Sequence, residues 1–190
     1  MVVAALTAPR VILLRGINVG GNSIVPMATL RAFLETIGMS DVRTLLNSGI
    51  AVARGGPAAA RALEQRLERD AERHLGIRVD FHVRTRDELQ AVVDANPFPR
   101  AAKDDPARLI VYFMKRAITR STLRVLQAAI QGPETVAAAG RHLYAVYPDG
   151  MGRSKLTSAL VERVLGSRGT ARNWNTVLKL TALASPIERP

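Results

Sequence analysis

One order of secondary-structure signals is written twice along this chain, and a repeat of that kind constrains the fold more than any single motif does. In the first half, "VILLR" (11–15) reads as a buried strand. "PMATLRAFLETIG" (26–38) reads as a helix with Met27, Leu30, Phe33, Leu34 and Ile37 on one apolar face. Pro26 suits its first position and Gly38 its stop. "VRTLL" and "IAVA" are strands around "NSG" (47–49), a hairpin signal because Asn and Gly tolerate positive φ. A second helix covers about 58–75 on the stripe Leu63, Leu67, Ala71 and Leu75, with Arg66 and Asp70 paired on its wet side. "IRVDFHV" alternates like a half-exposed strand, and "RDELQAVVDAN" is a trailing helix.

After "NPFPRAAKDDP" (96–106), whose three prolines read as a linker, the order begins again. "RLIVYFM" is a strand, "TRSTLRVLQAAI" a helix with Thr119 or Ser121 as its cap, and "ETVAAA" and "HLYAVY" are strands. "RSKLTSALVERVLG" is a helix ending at Gly166, "RGTAR" a short strand and "NWNTVLKLTALA" the last helix. Short stretches match between the halves: "ATLRAFL" (28–34) with "STLRVLQ" (121–127), and "ERHLG" (72–76) with "ERVLG" (162–166). Each half reads β-α-β-β-α-β, which is the ferredoxin-like order. The expected fold is therefore α+β, two ferredoxin-like β-α-β-β-α-β subdomains related by internal duplication. The first spans residues 1–96 with its trailing helix, a linker spans 97–107, and the second spans 108–190 with a C-terminal helix.

Charge points to anionic partners. The 190 residues carry 27 Lys and Arg against 16 Asp and Glu, a net charge of +11. The excess is uneven: residues 1–100 have 13 basic and 10 acidic residues, whereas residues 101–190 have 14 and 6. Arg outnumbers Lys 23 to 4, so a coding bias toward arginine explains part of it. There is no cysteine, which excludes disulfides and thiolate chemistry and fits a reducing compartment. "MVVAALTAPR" lacks the positive start of a signal peptide, and no run approaches the ~20 apolar residues that span a bilayer. A soluble cytoplasmic protein without membrane contact is expected.

The opening loop "GINVGGNS" (16–23) is a near miss for a phosphate-binding P-loop. Asn22 stands where that motif needs lysine, and "SIVP" delays the helix whose N–H groups would meet the phosphate. It is either a glycine turn or a looser nest of backbone N–H groups. Arg15, at a strand end beside apolar neighbours, must pair internally or meet an anionic ligand. In "YPDGMGRSK" (147–155), Arg153 and Lys155 open a helix against its dipole, a placement that an anion nearby would favour. In "TARNWNT" (170–176), Asn173 or Asn175 can cap the last helix and Trp174 can pack; the alternative is a ligand-facing cluster with Arg172. Catalytic patterns are missing. His74, His82 and His142 have no metal-ligand spacing, and no nucleophile elbow occurs. Tyr112 and Tyr144 stand on strands where an RNA-recognition sheet would place stacking aromatics, but the accompanying consensus is absent.

"LLRGINVGG", "PMATLRAFLETIG", "VRTLLNSG", "GRSKLT" and "GTARNWNTVLKL" together resemble a bacterial family called domain of unknown function 1697. The resemblance runs from about residue 10 to 185 in order, and it implies two related α+β, ferredoxin-like subdomains. It implies no reaction. Its signature positions are Arg15, Gly16, Asn18, Gly20, Gly21, Asn47, Ser48, Gly49, Ser154, Lys155, Arg172, Asn173, Trp174 and Asn175. The family usually continues "SGN", whereas Ile50 stands here.

Residues and resemblance lead to one expectation. Arg15, Asn18, Asn22, Asn47, Ser48, Arg153, Ser154, Lys155, Arg172, Asn173, Trp174 and Asn175 would line a cationic cleft between subdomains. The cleft would bind a small anionic or nucleotide-like ligand, without metal or resident cofactor. The alternatives are a nucleic-acid-binding module using the basic second half, and an interaction protein with no small ligand. Catalytic residues and oligomeric state are not legible.

Overall fold

The computed structural model describes residues 8–17, 24–45 and 49–184. Two compact units divide the chain, one comprising residues 1–89 with 180–190 and the other residues 90–179. Along the chain run β1 (Arg10–Leu14), α1 (Met27–Thr36), β2 (Ser40–Leu45), β3 (Ile50–Arg54), α2 (Ala60–Leu75), β4 (Phe81–Thr85) and α3 (Arg86–Asp94). Then come α4 (Pro99–Asp104), β5 (Leu109–Met114), α5 (Arg120–Ala128), β6 (Thr135–Ala139), β7 (His142–Val146), α6 (Ser158–Leu165), β8 (Gly169–Asn173) and α7 (Trp174–Leu183). The strands form two four-stranded antiparallel sheets, β2-β3-β1-β4 and β6-β7-β5-β8. Each unit thus repeats the β-α-β-β-α-β order, and the sheet order is the same in both. The fold is α+β, as the repeated pattern predicts.

Alternation along the strands builds each core. In the first unit, Ile12, Leu14, Phe81 and Val83 join Leu30, Phe33 and Leu34 of α1 and Leu63 and Leu67 of α2. In the second, Ile110, Tyr112, Met114 and Leu143 join Leu126 of α5 and Val161 of α6. Gly169 is needed for close approach, since a Cβ there would run into the Met114 sulfur.

β4 is an edge strand, so alternate N–H groups point away from its partner β1. Glutamates satisfy three in succession. Phe81 N donates to Glu68 Oε1 at 3.1 Å, Val83 N to Glu64 Oε1 at 2.8 Å and Thr85 N to Glu88 Oε2 at 2.9 Å. Glu64 and Glu68 sit one turn apart on α2, so they lock that helix along the edge. Glu88 N donates back to Thr85 Oγ1 at 3.1 Å, completing a T-x-x-E capping box at the start of α3. Arg84 follows the same strand inward, its Nη1 lying 3.4 Å from Glu64 Oε1 and donating to Val83 O at 2.8 Å. The second unit repeats the device, Gly169 N of edge strand β8 donating to Glu162 Oε1 of α6 at 3.0 Å.

Several local readings need correction. β4 is not half-exposed: His82 and Arg84 are as buried as Phe81 and Val83. Within segment 97–107 the chain forms α4, with Pro99 at a first-turn position where its missing N–H costs nothing. Pro26 is the N-cap of α1 rather than its first helical residue. The Arg66–Asp70 pair forms as expected, at 3.4 Å.

Glu64 is the most exposed point of this framework to mutation. Replacing it by alanine leaves the Arg84 charge buried and the Val83 N–H unmet. Urea denaturation should show Glu64→Ala to be destabilised by about 3–5 kcal/mol. Glu72→Ala, which removes only the exposed 2.7 Å pair with Arg78, should cost under about 1 kcal/mol in the same assay.

Candidate functional site

The polar segments singled out in the sequence fall into two groups, one in each unit. In the first unit, the register brings the end of β1, the start of β3 and the start of β4 to one end of the sheet. Leu14 N donates to Gly49 O at 2.8 Å and Arg15 N to Asp80 O at 3.0 Å. Arg15 is half-buried just past the strand. Gly49, at φ +69, could not carry a side chain, since a Cβ would lie 2.7 Å from Ile17. Ile50 is buried and pairs with Leu13, so at this position the chain uses a core residue. Asn18, Asn22, Asn47 and Ser48 lie outside the described residues.

In the second unit, β7 and β8 flank β5 on either side. Leu109, at the start of β5, pairs with Val146, and Ile110 with Asn173. The segments that follow β7 and β8, carrying "GRSK" and "NWN", therefore leave from the same end of the sheet, about 10 Å apart across β5. Backbone bonds tie them to the lead-in of β5: Tyr147 N donates to Arg108 O at 3.0 Å and Trp174 N to Pro106 O at 3.2 Å. Arg108 also donates from Nη1 to Pro148 O and pairs with Asp105 at 3.1 Å.

Within this group the side chains divide by role. Ser154 is engaged internally: its Oγ donates to Glu134 Oε1 and accepts from Leu156 N at 2.9 Å. Asn173 caps α7, its Oδ1 accepting from Thr176 N at 3.0 Å and Thr176 Oγ1 at 2.8 Å. Trp174 is buried and packs. Asn175 is exposed. Arg153 and Lys155 are exposed too, but they do not open a helix. Arg153 ends a 3₁₀ turn, and α6 starts at Ser158 with Thr157 accepting from Leu160 N at 3.2 Å. The hydroxyl cap wins over the earlier start, so the dipole penalty expected for these cations does not arise. Arg172 donates from Nη1 to Thr170 Oγ1 at 2.8 Å and to Ala171 O at 2.6 Å. Burial pushes its pKa down to about 10, because a desolvated guanidinium is a poorer place for a charge.

Beside this end lies a tyrosine network with no signature in the sequence. Tyr147 Oη donates to Leu156 O at 3.0 Å, which leaves Tyr112 Oη to donate to Tyr147 Oη at 2.7 Å. Tyr144 Oη donates to Val92 O at 2.8 Å. All three rings are buried, so Tyr112 and Tyr144 are not the exposed stacking platform of an RNA-recognition sheet. Burial raises the pKa of each, Tyr144 to about 12. Among the described residues, no group of three His, Asp or Glu could hold a metal, and no helix is long and apolar enough to cross a membrane.

The pattern of the family described as protein of unknown function (DUF1697) matches residues 8–144. The matched stretch ends before "GRSKLT" and "GTARNWNTVLKL". Among solved structures, the chain is similar to the conserved bacterial protein SP0830 from Streptococcus pneumoniae, with a TM-score of 0.73 and 21% identity. That likeness covers 94% of this chain and 99% of the other. At this identity it is a likeness of fold. No curated protein matches the chain.

Two outcomes test the assigned roles. Asn173→Ala should lower stability by about 0.5–2 kcal/mol in thermal or urea melts, the cost of a lost helix cap. The tyrosines predict alkaline behaviour. Their folded pKa values lie above the unfolded value near 10, so the stability they contribute is complete below pH 10 and is lost as pH rises through the folded values. The melting temperature should fall steadily above pH 10, with phenolate absorbance appearing together with unfolding rather than before it.

Proposed function

The chain belongs to the family described as protein of unknown function (DUF1697), and on that premise we propose that it binds a small anionic ligand of phosphate or nucleotide type. The second unit is the part that we assign to binding. One observation carries the reading. The lead-in of β5 and the segments after β7 and β8 share one end of a sheet; Arg108, Arg153 and Lys155 belong to them, and Arg172 is the last residue but one of β8. Acidic residues in the same segments are Asp105, already paired with Arg108, and Asp149.

The roles differ by chemistry. Arg153 and Lys155, exposed on the segment that Ser154 anchors through Glu134, supply mobile cations that an anion can draw in. Arg172 supplies a fixed one, since Thr170 and Ala171 hold its guanidinium. A charge that burial already disfavours gains more from an arriving anion than one in water does. Asn175, exposed at the start of α7, offers an amide to a base or sugar. Asn18, Asn22, Asn47 and Ser48, with Arg15, remain candidate ligand contacts in the first unit. No reaction is assigned.

A thermal-shift screen with nucleotides, inorganic phosphate and sugar phosphates tests this. A ligand at 100-fold its Kd should add about 2.7 kcal/mol of stability. Arg172→Met and the double variant Arg153→Ala, Lys155→Ala should each abolish the shift while keeping the unliganded melting temperature within a few degrees. No shift across the panel would return the protein to the reading of an interaction module without a small ligand. The 14 basic against 6 acidic residues of 101–190 favour one second reading, nucleic-acid binding. It requires an affinity that falls steeply between about 50 and 200 mM salt.

A further inference from the structure

The first unit carries a cation buried on the helix-facing side of its sheet. Arg10 opens β1 and shares its face with Ile12 and Leu14, the face that packs on the helices. It is only 9% exposed. Among the described residues its guanidinium makes one hydrogen bond, Nη2 donating to Ala58 O at 2.9 Å. Nε and Nη1 are buried with no hydrogen-bond partner among the described residues. Buried donors left unmet are costly, and a guanidinium carries five of them.

Ala58 stands immediately before the N-cap of α2, so Arg10 is aimed at the start of that helix. α2 is 16 residues long and lacks the usual protection there. Its N-cap is Ala59, which offers no side-chain acceptor, and its first turn holds no acidic residue. The earliest intrahelical bond is Leu63 N to Ala59 O at 3.1 Å, which leaves the N–H groups of Ala60, Arg61 and Ala62 unmet within the helix. Ala58, Ala59, Arg61 and Ala62 are exposed, so this end is open to solvent. Arg61 adds a second cation at a place where a cation alone is unfavourable. A helix of this length with a bare N-terminus suits an anion, and the buried Arg10 beneath it supplies a counter-charge.

We infer that the N-terminus of α2 and Arg10 form an oxyanion site for a phosphate group, with Arg61 in the same first turn. The site uses other residues than the second-unit reading and does not depend on it. The phosphate group is the shared chemistry; it can come as the free ion or as the end of a larger phosphomonoester.

The test is an amide NMR titration of the whole chain with inorganic phosphate, and separately with glycerol phosphate. Saturable shifts at the amides of Ala60, Arg61 and Ala62 are expected. Stronger binding of the monoester assigns a terminal phosphate, and equal binding the free ion; both support the site. Arg10→Met should weaken binding at least tenfold. Because Arg10→Met alters a buried residue, Ala59→Asp is the second variant. An aspartate there caps α2 with its own carboxylate, so it should raise the melting temperature and yet abolish the titration. Arg172→Met should leave it untouched, which separates this site from the second unit. Amides 60–62 that stay still at tens of millimolar phosphate, or that move equally in Ala59→Asp, would overturn the inference.

Discussion

Everything in the first unit is hung on the outward edge of β4. An edge strand exposes alternate N–H groups, and here three glutamates accept from all of Phe81, Val83 and Thr85. Two of them come from successive turns of α2, so that helix can neither slide nor rotate without breaking both bonds. The third begins α3, so the strand and the helix after it are joined without a loop. The same carboxylate, Glu64, receives Arg84, whose side chain is wholly buried. One edge therefore sets the helix register, closes the sheet to further strands and neutralises a buried cation. The second unit holds β8 in the same manner through Glu162.

That economy changes how the polar signature residues read. Ser154 and Asn173 are conspicuous in the sequence, but the Ser154 hydroxyl and the Asn173 Oδ1 are engaged inside the protein, on a tight turn and on a helix cap. They shape the segments that carry Arg153, Lys155 and Arg172. Arg153 and Lys155 stay exposed on these segments, and the buried tyrosines offer no stacking face. Arg10 follows the opposite logic. No motif marks it, yet its burial against a bare helix start makes it the more pointed electrostatic feature of the first unit.

Legibility followed range along the chain. The strands, most of the helix stripes and the cap at Thr119 rest on periodicity or on residues a few positions apart, and such signals survive without the fold. The T-x-x-E box at Thr85–Glu88 was of this kind as well, and a search for capping boxes would have found it. The start of α6 was misplaced because Arg153, Ser154 and Lys155 are compatible with a helix by propensity. What decides against it is the Thr157 hydroxyl capping Leu160 N, with Ser154 held to Glu134, 20 residues away. The half-exposed reading of β4 failed for a similar reason. Alternation correctly put Phe81 and Val83 inward, but it could not show that His82 and Arg84 are buried as well.

The sequence by itself determined the element order, its repetition and the α+β class, because hydrophobic period and turn chemistry are local properties that each half states independently. It also determined that the chain would be basic, and most so in its second half. Only the tertiary structure decided which charges are spent and which remain. Glu64 on α2 and Arg84 on β4 are 20 residues apart in the chain and 3.4 Å apart in space. Arg10 and Ala58 are separated by 48 residues and joined at 2.9 Å. Pairing of charges depends on distances that chain order does not encode until the sheet has formed, so which charges meet is a property of the fold.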